Sequence, residues 1–167
     1  MRRIGITLLL CLAGCADYRF TVNDKVVYTP VPLFTDYTLA DVALEECVRQ
    51  HILDRNISAA ESLIDLNCSH AGISDLSGIE VFNGLVRLKL ANNRIVELAP
   101  LSEMDTLREL RLDGNQLRGL RDIHGLVKLE LLDLRDNPAL PCSELTVFRS
   151  RATVTLVAPE RCGSPGG

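Results

Sequence analysis

The sequence predicts a short α/β repeat solenoid, in which stacked strand-and-return units carry a parallel β-sheet along one face between a helical cap and a small disulfide-closed cap. Three observations lead there. Segments starting at Leu63, Leu85, Leu107 and Leu129 share one leucine pattern at an unbroken period of 22 residues. Inside each segment leucines first alternate, as on a strand, and then recur at every third position. Cys47 and Cys68 stand at one end of the array and Cys142 and Cys162 at the other.

The chain begins with Met1-Arg2-Arg3 and a run of about ten apolar residues ending in Leu12-Ala13-Gly14-Cys15. The run is too short to span a bilayer, which takes roughly 20 residues, and has the basic, apolar and small-residue regions of an export signal. Leu12-Ala13-Gly14-Cys15 resembles the lipobox of bacterial lipoproteins. That resemblance implies removal of residues 1–14, lipidation of Cys15 and anchoring through several acyl chains. Ordinary cleavage after Ala16 is the rival reading. Ala16 at the position after the cysteine favours the outer membrane, facing periplasm or cell surface, over inner-membrane retention; Asp17 follows it. Cys11 leaves with the signal, so neither of the first two cysteines enters the fold.

Residues 15–37 read as anchor and spacer. Tyr18, Phe20 and Val22 alternate before Asn23-Asp24, and Val26 and Tyr28 alternate after it, which predicts a β-hairpin. Residues 38–62 form the N-terminal cap, where Thr38-Leu39-Ala40-Asp41 resembles a capping box and apolar spacing predicts a helix over 39–54.

The repeats occupy residues 63–141. Each follows L-x-x-L-x-L-x-x-N-x-[IL], filled by Leu85, Leu88, Leu90, Asn93 and Ile95, by Leu107, Leu110, Leu112, Asn115 and Leu117, and by Leu129, Leu132, Leu134, Asn137 and Leu140. The first copy is degenerate, with Cys68 and Ala71 at the third leucine and the asparagine. This pattern resembles the leucine-rich repeat, and its period resembles the 22-residue class of the bacterial internalins. The resemblance covers about residues 60–145 and implies a horseshoe with the parallel sheet on its concave face and 3₁₀ or irregular returns on its convex side. The physics agrees: one repeat cannot bury its leucines alone, so neighbours stack into a continuous core, and apolar residues three apart suit a 3₁₀ return. Asn93, Asn115 and Asn137 then form a structural ladder of amides satisfying turn backbone, and are not catalytic groups.

Residues 142–162 form the C-terminal cap, with a short helix near 144–150, a strand at Val154–Val157 and a flexible tail over 163–167. Export places Cys47, Cys68, Cys142 and Cys162 in an oxidising compartment. Of three possible connectivities, clustering favours Cys47–Cys68 and Cys142–Cys162, each loop contributing about 3 kcal/mol on the chain-entropy model. A zinc site built on Cys47, His51, Cys68 and His70 matches no familiar spacing, so neither metal nor cofactor is expected.

Without residues 1–14 the chain carries 16 basic and 22 acidic residues, a net of −6. That balance argues against nucleic acid and against charge-driven membrane binding. Function is expected on the outward strand positions of the concave face: Asp65, Asn67, Ser69 and His70; Arg87, Lys89, Ala91 and Asn92; Glu109, Arg111, Asp113 and Gly114; Leu131, Asp133, Arg135 and Asp136. Arg87, Arg111 and Arg135 are the candidate anchors for a protein partner. The columns Asp65–Arg87–Glu109 and Lys89–Arg111–Asp133 also permit a self-paired, solvated face. No nucleophile elbow, phosphate loop or metal-spaced histidine pair is present. The only conceivable acid–base cluster is His70 beside Asp65 and Ser69. The expectation is a monomeric, non-enzymatic, lipid-anchored envelope protein that binds another protein. The alternatives are a structural envelope lipoprotein without a dedicated partner, and a hydrolase using His70.

Overall fold

The computed structural model describes residues 20–22, 25–28 and 32–163. The proposed signal, Cys15, the turn at Asn23-Asp24 and the tail beyond Gly163 lie outside the described residues. The chain divides into two compact units, residues 1–32 and 33–167. In the first, β1 (Phe20–Val22) pairs antiparallel with β2 (Lys25–Tyr28), with an irregularity between Phe20 and Thr21.

The second unit is the solenoid. Its helix α1 spans Val42–Arg55 and starts three residues later than the sequence pattern suggests. The reason is Asp41, which takes the N-cap position in place of Thr38: its Oδ1 accepts from Ala43 N (2.9 Å) and Leu44 N (3.2 Å). Its Oδ2 accepts from Ser74 N, Ser74 Oγ and Asp75 N, so the same carboxylate fastens the first repeat's loop. Leu44, Val48 and Ile52 are the buried stripe of the helix, at the i, i+4, i+8 spacing that packs one face. Asn56 closes it in the left-handed conformation. Phe34 and Tyr37, placed by sequence in the spacer, instead stack together (5.8 Å) and pack edge-on against buried Phe82.

Five strands follow: β3 (Asp65–Asn67), β4 (Arg87–Lys89), β5 (Glu109–Arg111), β6 (Leu131–Asp133) and β7 (Thr155–Val157). They form one parallel sheet in chain order. The middle residues Leu66, Leu88, Leu110 and Leu132 are in register and fully buried. The fifth strand comes from the C-terminal cap, so the sheet is one strand wider than the four repeats supply. Short 3₁₀ turns at Ile79–Val81, Ala99–Leu101 and Arg121–Ile123 return the chain on the other side. Ile79, Leu101 and Ile123 close the core there. Gly84 shows how tightly the repeats stack: a Cβ there would meet the Glu61 carbonyl at 2.2 Å.

After the last repeat, a 3₁₀ turn at Cys142–Leu145 runs into α2 (Thr146–Arg149), which buries Leu145 and Phe148 against the end of the core. Disulfides join Cys47 to Cys68 and Cys142 to Cys162, tying α1 to β3 and β7's exit to the last turn. Among the described residues no helix is long and apolar enough to cross a membrane.

Candidate functional site

The outward positions of the sheet form two columns. One runs Asp65, Arg87, Glu109, Leu131, Thr155, and the other Asn67, Lys89, Arg111, Asp133, Val157. Thr155 and Val157 join the face because β7 continues it; the sequence pattern stops at the fourth repeat and misses them. Five strands at about 4.8 Å give a surface only about 20 Å across.

Each of the three candidate anchor arginines is already paired. Arg87 grips Asp65 through Nε and Nη2, both at 3.0 Å. Arg111 binds Glu109 on its own strand (2.6 Å) and not Asp133 of the next strand, as the columns suggested. Two residues along a strand share a face, so a long guanidinium side chain reaches back to the nearer carboxylate. Arg135 folds over Asp133 with two parallel contacts, Nε to Oδ1 at 3.0 Å and Nη2 to Oδ2 at 2.6 Å. Asp133 is thereby covered to 3% exposure, and is not an open contact residue. Pairs this exposed on the arginine side contribute at most about 1 kcal/mol each. Lys89 makes no ion pair among the described residues. It stands between Asn67 and Arg111 in its column.

The strands are three residues long, so Asp113 and Arg135 follow them instead of lying on them. His70 and Asn92 leave the sheet altogether. With Gly114 and Asp136 they occupy one position of consecutive repeats, and all four have positive φ (61°, 56°, 68° and 51°). Histidine, asparagine, aspartate and glycine are the residues that tolerate this left-handed turn. That identity at a spacing of 22 was the signal available in the sequence. Gly114 has a second constraint, since a Cβ would sit 2.6 Å from Asn92 Oδ1. The acid–base cluster does not form: Asp65 is taken by Arg87, Ser69 Oγ donates to Asn67 Oδ1 (2.8 Å), and the His70 ring faces the Asn92 amide (3.5 Å).

Beneath these turns runs the asparagine ladder. Asn93 Oδ1 accepts from the amides of Ala71, Gly72 and Ile73, while its Nδ2 donates to Cys68 O and Leu90 O. Asn115 Oδ1 accepts from Ile95 N and its Nδ2 donates to Leu90 O and Leu112 O. Asn137 repeats the pattern on Leu117 N, Leu112 O and Leu134 O. All three side chains are buried. The arrangement fixes backbone and offers no group to a substrate.

Residues 83–138 match the family model described as leucine rich repeat. Human cilia- and flagella-associated protein 410 is 31% identical over 115 residues, which is 66% of this chain and 44% of that protein. Human leucine-rich repeat-containing protein 23 is 34% identical over 93 residues, 53% of this chain and 26% of that protein. The chain therefore spans less than half the length of these curated relatives. Among solved structures, internalin C2 of Listeria monocytogenes matches with a TM-score of 0.61 at 23% identity, over 75% of this chain and 59% of its own. A Listeria monocytogenes internalin designated inlF matches with a TM-score of 0.62 at 22% identity, over 71% and 36%. The likeness to both is one of fold.

Proposed function

We propose that this leucine-rich-repeat protein is held at the cell envelope, most simply at the outer membrane, by lipid on Cys15, and that it binds another protein on its concave sheet without catalysing a reaction. The anchoring rests on the lipobox-like Leu12-Ala13-Gly14-Cys15 behind a basic start and an apolar run. The observation that carries the binding reading is the sheet face itself. It is a flat array of ordered, outward side chains, fixed on strands, with the ammonium of Lys89 left without a carboxylate beside the Arg111–Glu109 pair. Rigid strands hold such groups at little entropic cost on binding, and solenoids use their concave sheets in this way.

Photo-crosslinking in cells from positions 87, 89 and 111 tests the proposal. One recurrent protein partner, lost in Arg111→Glu with folding intact, is the expected result. A face that captures nothing recurrent supports the second reading, a structural envelope lipoprotein, which the self-pairing of Arg87, Arg111 and Arg135 favours. For the anchor, labelled palmitate should enter the wild-type chain and not Cys15→Ser. Equal labelling, or none in either, removes the lipid.

A further inference from the structure

We propose that β7 is an assembly edge: a second copy of this chain pairs with it antiparallel, about a two-fold axis at Leu156, and joins two sheets into one. This goes beyond the binding reading above, does not depend on it, and departs from the monomer that the sequence suggested.

The backbone hydrogen bonds carry the argument. Thr155 N–H donates to Glu130 O (2.7 Å) and Leu134 N–H donates to Val157 O (2.8 Å). With Leu132 opposite Leu156, the ladder to β6 uses only groups of Thr155 and Val157. Leu156 N–H and C=O therefore point away from the sheet. Together with Val154 C=O and Ala158 N–H they bond to nothing among the described residues. The opposite edge is treated differently. On β3 the outward Asp65 carbonyl accepts from Arg55 Nη1 (2.9 Å) and the outward Asn67 N–H donates to His51 Nε2 (3.4 Å), both from α1. One edge is closed by a helix and the other is left with an unused row.

The free groups match themselves. In an antiparallel pair centred on Leu156, the Leu156 N–H of each copy meets the Leu156 C=O of the other, and each Ala158 N–H meets a Val154 C=O. These four groups of each copy are then used, while Val154 N–H keeps its bond to Arg151 O (3.2 Å). Val154-Thr155-Leu156-Val157-Ala158 carries no charge, so like meets like on the axis without repulsion. The strand also lacks the lysine or inward charge that commonly protects an edge. The nearest cations are turned away: Arg151 donates to His124 O and Leu126 O, and Arg161 to Asn137 O and Leu140 O. On the core side, Leu156 continues the column of buried leucines but is itself only half-buried. A two-fold pair sets its twin about 5.5 Å away on the same face, which completes the burial of both. The interface is small against the roughly 1,200 Å² of stable complexes, so the dimer forms reversibly with concentration.

The full chain in mild detergent is followed by sedimentation velocity from micromolar to near-millimolar protein, with amide hydrogen exchange at both ends of the range. A monomer–dimer equilibrium is expected, with the Leu156 and Ala158 amides slowed at least about tenfold at high concentration. Thr155 and Val157, bonded to β6, should stay protected throughout. Ala158→Pro removes an edge donor that the folded chain does not use, and should abolish dimerisation while leaving the circular dichroism spectrum unchanged. Exchange in the wild-type chain gives the same answer without a variant. Sedimentation and Leu156 exchange that do not change with concentration would overturn the proposal. So would a dimer that survives Ala158→Pro, or Leu156 protection that appears only when another protein is added.

Discussion

Asn115→Ala tests the ladder where its geometry can be read bond by bond. The variant removes an amide that accepts from Ile95 N (3.0 Å) and donates to Leu90 O (2.9 Å) and Leu112 O (3.0 Å). The two carbonyls are not orphaned, because Leu90 O keeps Asn93 Nδ2 and Leu112 O keeps Asn137 Nδ2, each at 2.9 Å. Ile95 N–H loses its partner in a fully buried place. An unsatisfied buried donor costs about 1–3 kcal/mol, and each half-satisfied carbonyl adds a further fraction of about 1 kcal/mol. The loss should total about 2–4 kcal/mol, a large share of a domain stability of roughly 5–15 kcal/mol. Asn115→Asp keeps the shape but aims carboxylate oxygen at both carbonyls, so at neutral pH it should be worse than alanine. Urea unfolding followed by circular dichroism, with unchanged m-value, measures both. A loss below about 0.5 kcal/mol for alanine, or an aspartate variant as stable as wild type, would refute the account.

Two further outcomes follow from the caps and turns. Burial pushes the Asp41 carboxyl up, but hydrogen bonds from Ser74, Leu44 and Asp75 outweigh it and hold the group below its ordinary value. Its ionised form thus adds stability that is present above the unfolded carboxyl range near pH ~3.9 and is lost as pH falls through the lower folded value. The stability gap between wild type and Asp41→Ala, about 1 kcal/mol or more at pH ~7 for the cap alone, should close on acidification; a gap independent of pH would contradict this. At His70, held at φ 61°, asparagine should be tolerated and valine should cost about 1–2 kcal/mol. Equal melting of the two variants would show that the left-handed turn does not set the requirement.

The leucine and asparagine columns could be read from the sequence because each of their positions recurs at a fixed period and has a single physical job. Strand register followed from the same period, since Leu66, Leu88, Leu110 and Leu132 must all face one core. The side of each turn was harder. His70 and Asn92 look like outward residues because they fill x positions of the repeat, and their left-handed backbone angles remove them from the sheet. The sequence places the helix start at residue 39 because Thr38 opens a capping-box pattern, whereas Asp41 takes the cap in a role that depends on a loop more than 30 residues away. Charge pairing was the least legible. Arg111 has Glu109 and Asp133 within reach, and a guanidinium on a flexible stem selects between them by local geometry that no pattern records. The fifth strand was foreseen as a strand, but its place in the sheet depends on a cap without repeat spacing.

The shared carbonyls of Leu90 and Leu112 make the number of repeats a free variable for the core. Excising residues 85–106 would set Asn115 against Cys68 O and the amide of Ile73, the groups Asn93 now serves. The buried columns would close as before. On the outer face the same excision would bring Glu109, still held by Arg111, beside Asp65, which would lose Arg87 and face a second carboxylate instead. The interior therefore permits the chain to grow or shrink in steps of one repeat, while the order of charges on the sheet identifies each repeat and resists its loss. Selection on length and selection on surface act on separate columns of one strand.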